Sequence, residues 1–428
     1  NMMKTLRYLG YVMAAFLAMT SCTSDTEPSV VKEQSLYPYF AVISDIHVGR
    51  PDSKEKIIKT LQHIQSGDKQ LDAIFVVGDI TDQSTENQYN GLIQLFDAHV
   101  PKSTPVYYML GNHDQVWLDG DPEARYLSKL KQPLHQYVEI KGFPFITISV
   151  RSITPYLFYT QKEVDFLSAA LEDASKKYPN RPIFVFAHVG VTNTVYGTGW
   201  NEGWGVSHLA SVLEKYPQVV LFSGHSHFPI GDPRSIHQSK FTSVNLGSVA
   251  YSEIEAGFSE GEHPPGNDYV TEAVIVSVNK DMSVKLQRLD TYRNEAILPD
   301  WILWAPHNGT MFTYANRNGG SAPSFKNTDK PTISEIKTNS CKVIFPQATD
   351  NDVVHHYILK VVNSDGNIYK QMTLFSRFYL NSDMPESLDA NITDLQPATK
   401  YTIKVIAVDS YKNKSTEITS AEFITNSI

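Results

Sequence analysis

Nine side chains that can bind a metal or move a proton stand immediately after short apolar runs: Asp45 and His47, Asp79, Asn112 with His113 and Asp114, His188, and His225 with His227. Two aspartates, one asparagine and four histidines among them are metal-ligand types. A mixed imidazole and carboxylate set suits Mn, Fe or Zn and disfavours an all-oxygen Ca or Mg site. Seven ligands exceed what one tetrahedral ion takes. They suit two ions sharing a bridge, ~3.5–4 Å apart, an arrangement that acidifies a trapped water and is used for hydrolysis. Taken singly, each residue has a plainer reading. An aspartate after a strand is commonly a turn former or helix cap, and a lone histidine is commonly structural. The case rests on their joint placement.

That placement comes from strands. Val106–Leu110 is an apolar run that stops at Gly111-Asn112-His113-Asp114. Tyr39–Ser44, Ala73–Val77, Ile183–Phe186 and Val219–Phe222 are further β-prone runs, ending before Asp45, Asp79, His188 and His225. Helical spacing marks Lys54–Gln65, Glu86–His99, Lys162–Lys177 and Val206–Tyr216. Strand–helix alternation indicates parallel pairing with covered faces, and ligands then gather at the carboxyl ends of the strands. Gln136–Ile140, Phe145–Val150, Phe241–Leu246, Tyr269–Val278 and Val284–Leu289 read as additional strands. A two-sheet α/β sandwich over residues 38–293 fits this order.

The rest of the chain sets limits. At 428 residues it exceeds one ordinary core. With 41% hydrophobic and 19% charged residues it is folded material. A net charge of −9 without a basic run argues against duplex nucleic acid as a partner. An anionic substrate stays open, because bound cations dominate the local field. Lys4 and Arg7 precede an apolar run, Tyr8–Met19, that is short of the ~20 residues a bilayer requires. Leu17-Ala18-Met19-Thr20-Ser21-Cys22 then resembles a bacterial lipoprotein signal, with Cys22 as the lipidated residue; ordinary secretory cleavage is the alternative. The expectation is residues 1–22 as signal, 23–37 as tether, and an exported protein on a lipid anchor, its only link to membrane. Cys341 would then be the sole free thiol, so no disulfide forms.

Residues 294–329 read as a packing extension and linker. In 330–428 the texture turns to short alternating strands. Leu395 to Tyr401 followed by Thr402 to Val408 resembles a fibronectin type III module, with Tyr401 at its tyrosine corner. The core tryptophan of that fold is missing, so Phe345 or Tyr357 must fill its place. Between glycines after His188, Trp200 and Trp204 either stack on a substrate base or sugar or pack on the strands. Arg50 and Arg151 either meet phosphate or form salt links. His355, His356 and the other remaining histidines match no motif and read as structural or exposed.

The motifs Asp45-Ile46-His47, Gly78-Asp79, Gly111-Asn112-His113-Asp114, His188 and Gly224-His225-Ser226-His227, in this order, resemble the calcineurin-like metallophosphoesterase superfamily over about Tyr39 to Asp290. Gly78-Asp79-Ile80-Thr81-Asp82 looks like the branch of cyclic-nucleotide phosphodiesterases. The resemblance implies that Asp45, His47 and His227 hold one metal and Asn112, His188 and His225 the other, with Asp79 bridging. It implies attack of a metal-bridging hydroxide on phosphorus in a small phosphodiester or nucleotide. His113 would protonate the leaving alkoxide and Asp114 would orient its ring. Phosphomonoester hydrolysis, or a surface binding protein on an inactive metal fold, are the alternatives. No sequence feature sets an oligomeric state.

Overall fold

The computed structural model describes residues 32–151 and 158–428. The expected signal, residues 1–22, and most of the expected tether lie outside the described residues. No helix among the described residues is long and apolar enough to cross a membrane.

Residues 38 to 303 build two six-stranded sheets packed face to face. In the first, β1 (Tyr39–Ile43), β2 (Ala73–Val77) and β3 (Val106–Met109) are parallel neighbours. Antiparallel β10 (Glu272–Val278), β11 (Val284–Asp290) and β12 (Glu295–Leu303) continue it on the other side of β1. In the second, β5 (Phe143–Ile148), β6 (Ile183–Ala187), β7 (Val219–Ser223) and β9 (Thr242–Asn245) run parallel. The antiparallel strands β4 (Gln136–Ile140) and β8 (Ile236–Gln238) form its edges.

Every residue of β1, β2, β6 and β7 is buried. Both faces of these strands are covered, which is why they read as unbroken apolar runs rather than alternating ones. Between the sheets lie phenylalanines. Phe75 and Phe186 stack across the gap with ring centroids 4.1 Å apart, and Phe40 presents its edge to Phe145 and Phe184 at 5.1 and 5.0 Å. Outside the first sheet, α1 (Ser53–Ile64), α2 (Glu86–His99) and α3 (Pro122–Leu130) cover its outer face through Leu61, Leu92 and Tyr126. Outside the second, α4 (Gln161–Lys177) and the single turn α5 (Ala210–Leu213) pack Leu167, Leu171 and Leu213.

Two expectations differ from the structure, and one helix was not anticipated. The helix expected over Val206–Tyr216 is confined to α5; Ala210 N and Val212 N bond back three residues to Ser207 and Leu209, so the flanks are tight turns. The α/β unit does not stop at residue 293. Strand β12 pairs with β11 and buries Trp301 under the Arg288 guanidinium, 4.0 Å away. A register shift between Leu286 and Arg288, and Pro299 within the strand, break the alternation that would have marked it. No expectation covers α3, which Asp121 caps by accepting from Glu123 N and Ala124 N.

The C-terminal region is an all-β sandwich. One sheet is β13 (Thr332–Ser334), β14 (Cys341–Pro346) and β17 (Ser387–Ile392). The other is β16 (Ile368–Phe375), β15 (Val354–Asn363) and β18 (Lys400–Asp409), with β19 (Ile418–Thr419) and β20 (Phe423–Ile424) on its edge. Phe345 and Tyr357 are both fully buried and meet edge to face at 5.0 Å. The Tyr401 hydroxyl accepts from Gln396 N at 3.1 Å. The sandwich docks on the α/β unit through Tyr196, Phe228 and Ile254 on one side and Phe375, Phe378 and Tyr379 on the other. Ion pairs Arg377–Glu260 and Arg293–Asp383, at 3.0 and 2.7 Å, cross the same seam.

Candidate metal centre

All nine predicted residues sit in loops leaving the carboxyl ends of β1, β2, β3, β6 and β7. The loops are zipped to each other by backbone bonds: Asp45 N to Gly78 O, His47 N to Asp79 O and Gly224 N to His188 O, at 3.1, 3.0 and 2.9 Å. Five of these residues, Asp45, His47, Asp79, His225 and His227, have left-handed backbone, with φ between 42° and 72°. A side chain in that region costs ~1 kcal/mol or more, so the site carries strain on the order of 5 kcal/mol that the surrounding fold must hold.

Three groups overlap among the described residues; one is His47, Asp82 and His113, and the other two share Asp79. Asp45, His47, Asp79 and His227 each offer one ligand atom within 4.8 Å of the others, and so do Asp79, His188 and His225. Asp79 belongs to both. Asn112 joins the second group, its Oδ1 lying 3.2 Å from His188 Nε2. The outward nitrogens are committed. His47 Nδ1 donates to Asp82 Oδ1 at 3.2 Å, His188 Nδ1 to Val77 O at 2.8 Å, and His227 Nδ1 to Tyr251 O at 3.1 Å. Their Nε2 atoms therefore face inward. His47 Nε2 and His227 Nε2 are 3.3 Å apart. Asp45 Oδ1, 3.1 Å from His227 Nε2, is fully buried and accepts no hydrogen bond. Lone pairs this close, out of water, call for a shared positive charge, a proton or a metal ion.

The electrostatics agree. Burial opposes charge on Asp45, but His227 and His188 outweigh it and hold its carboxyl at about 2. Asp79 is held well below the usual carboxylate range, against burial, by His188 and His47. In return His188 is pushed up to about 10, although burial resists it, chiefly by Asp79 and Asp45. Protons on the imidazoles thus supply the positive charge that these carboxylates demand, and divalent ions fit the same place.

His113 and Asp114 part company. The His113 ring meets His47 edge-on at 4.6 Å, its Nδ1 donates to Asp82 O at 2.9 Å, and the side chain is 40% exposed. Asp114 does not orient that ring. It is fully buried and accepts from Gly111 N, Ile80 N, Thr81 N and the Thr81 hydroxyl at 2.7–3.1 Å. A carboxylate satisfied by four donors has no capacity left for an imidazole facing away from it. Its work is to tie the β3 loop to the β2 loop.

Sequence reasoning missed two members. Asp82 orients His47 through its carboxylate and His113 through its carbonyl; its position three residues after Asp79 was the available signal. Tyr251 receives His227 Nδ1 on its carbonyl, packs tilted against that ring with centroids 4.3 Å apart, and carries the Arg50 guanidinium at 4.3 Å on its face. A backbone acceptor leaves no mark in sequence. Arg151 is engaged away from the centre, with Glu123 and Glu163 at 2.5 and 3.2 Å. Trp204 packs its edge against His225, with ring centroids 5.3 Å apart, whereas Trp200 is exposed.

Comparison with known proteins places this geometry. Residues 38–229 match the family described as calcineurin-like phosphoesterase. A probable glycerophosphodiester phosphodiesterase, GpdQ, of Arcobacter nitrofigilis is 26% identical over 200 residues, spanning 43% of this chain and 70% of the relative. A 3',5'-cyclic-nucleotide phosphodiesterase of Nostoc is 24% identical over 207 residues, 44% of this chain and 70% of that one. Among solved structures, the purple acid phosphatase PPD1 of yellow lupin covers 64% of this chain and 54% of its own, at 14% identity and a TM-score of 0.44. Residues 38–229 thus resemble the calcineurin-like phosphoesterases in sequence, and the chain is a metal-dependent phosphoric ester hydrolase.

Proposed function

We propose that this hydrolase is a dinuclear phosphodiesterase acting on a small phosphodiester. The observation that carries the reading is the membership of Asp79 in both ligand groups, which makes one carboxylate common to two ion sites. Asp45, His47 and His227 would hold one ion, Asn112, His188 and His225 the other. Both relatives are named for diester substrates. A bound pair of Mn, Fe or Zn ions supplies Lewis acidity toward a phosphate oxygen and acidifies a water. The chain's own contribution is orientation and a proton. Asp82, Val77 and Tyr251 fix the tautomers of three ligand imidazoles, as partners behind metal-bound histidines do. His113, tied at Nδ1 to the Asp82 carbonyl and 40% exposed, would hold at Nε2 the proton that a departing alkoxide takes.

The C-terminal sandwich is read as a fibronectin type III-like module, on its three- and five-stranded sheets and the Tyr401 bond to Gln396. Export on a lipid at Cys22 rests on the N-terminal sequence alone.

Hydrolysis of bis-(p-nitrophenyl) phosphate with added Mn tests the activity. Wild type should turn over, Asp79→Asn should lose nearly all activity, and elemental analysis of the variant should show metal loss. Equal activity of the two, or much faster hydrolysis of p-nitrophenyl phosphate than of the diester, would overturn the reading.

A further inference from the structure

Beside the metal centre, a cavity of about 420 Å³ lies in the seam between the α/β unit and the C-terminal sandwich. Its wall touches two of the candidate ligands. Trp204, in its wall, is the residue whose ring meets His225, and Glu253, also in its wall, donates its backbone N–H to His227 O at 3.0 Å. The sandwich completes it with His356, Ser410 and Lys412. Its walls are built rather than incidental. His355 from the sandwich donates through Nε2 to Glu255 at 3.1 Å, the Tyr196 hydroxyl donates to the same carboxylate at 2.7 Å, and Ser410 donates to Asp232 at 2.8 Å.

The charge of the lining is one-sided. Arg234 is neutralised by Asp232, with two contacts of 2.9 Å, and by Glu255. That leaves Glu202, Glu253, Glu262 and Asp409 against Lys412 as the formal charges around the space. Trp204 and Phe258 add aromatic surface. A second phosphate would be repelled here. An ammonium group would be attracted by the carboxylates and by the indole face.

We propose that this seam is the subsite for the second ester group of the diester, and that the group it takes is a cationic amino alcohol. The sandwich is then a specificity element of the active site rather than a spacer. The proposal rests on the phosphodiesterase reading.

Two rim residues, both exposed, permit a test in opposite directions: Lys412→Glu and Glu262→Lys. Two substrates share a leaving group: p-nitrophenylphosphocholine, and methyl p-nitrophenyl phosphate, which has nothing to place in the cavity. Lys412→Glu should lower KM for the choline ester roughly fivefold and Glu262→Lys should raise it by about the same factor, each from one charge reversal near the rim. KM for the methyl ester should not move. In metal-free protein, choline should quench tryptophan fluorescence, and Trp204→Phe should remove the quench. If wild type hydrolyses neither ester, the phosphodiesterase reading fails. If it hydrolyses the methyl ester while the two variants leave the choline KM unchanged, or shift it in the same direction, or if choline leaves fluorescence unaltered, the subsite is wrong.

Discussion

Gly111→Ala should disable this protein although alanine is the smallest possible change. Gly111 has no left-handed backbone to explain it, so the cost is proximity alone. A methyl group there would overlap the Asp79 carboxylate and its amide nitrogen. Asp79 Oδ1 accepts from His113 N at 2.8 Å, so moving it breaks a partly buried, charged hydrogen bond. Overpacking costs ~1–3 kcal/mol and losing such a bond ~1.5–3 kcal/mol, together about 4 kcal/mol. For a unit of this size that lowers Tm by about 10 °C. A displacement of Asp79 by ~1 Å should cost about 100-fold in kcat. The matched control is Gly91→Ala, inside α2, where the added carbon would sit at an ordinary 3.5 Å from Val48 Cγ1. That change should stabilise by ~1 kcal/mol, as alanine does in a helix. Thermal melts, metal content and diester hydrolysis on both variants decide it. Full metal content with wild-type kcat in Gly111→Ala would refute the reasoning, because Asp79 would then not be held where the site requires.

His113→Ala should keep its metal content and lose ~100-fold or more in kcat on alkyl phosphodiesters, with a much smaller loss on p-nitrophenyl esters, whose leaving group needs no proton; equal losses on both would remove the acid role. Glu163 is fully buried; its Oε2 accepts from Thr160 N at 2.8 Å and its Oε1 pairs with His135 at 2.9 Å. Burial opposes its charge, but His135 and Thr160 pull its carboxyl from 4.5 to about 2. A depressed carboxyl stabilises the fold above its unfolded value and loses that effect as pH falls through the folded one. Melts of Glu163→Gln should therefore show a deficit that is full above pH 4.5 and shrinks toward pH 2; a pH-independent deficit would mean that packing, not charge, is responsible.

The parts that were legible in the sequence share a cause. Strands such as Ile183–Ala187 are buried on both sides, so they appear as continuous apolar runs, and the polar residue that ends each run is conspicuous. Strand β12 was hidden by Pro299 and by a bulge, which erase the pattern while keeping the pairing. Asp114 stands beside the candidate acid in sequence yet turns the other way, because four donors from neighbouring loops claim it. The inter-unit seam was invisible for a different reason. His355 and Glu255 are 100 positions apart, and nothing local in either marks the partner.

Asp45, Asp79 and Asn112 arrive on one layer of the sandwich, His188, His225 and His227 on the other. On the proposed assignment, no single layer would assemble either ion's full set of donors. Loading with metal would therefore rivet the two leaves together, and the thickness of the aromatic filling between them, with Phe75 on Phe186, gauges how far apart the donors stand. Thinning that filling, remote from every polar group, would be felt first as a loosened grip on the ions.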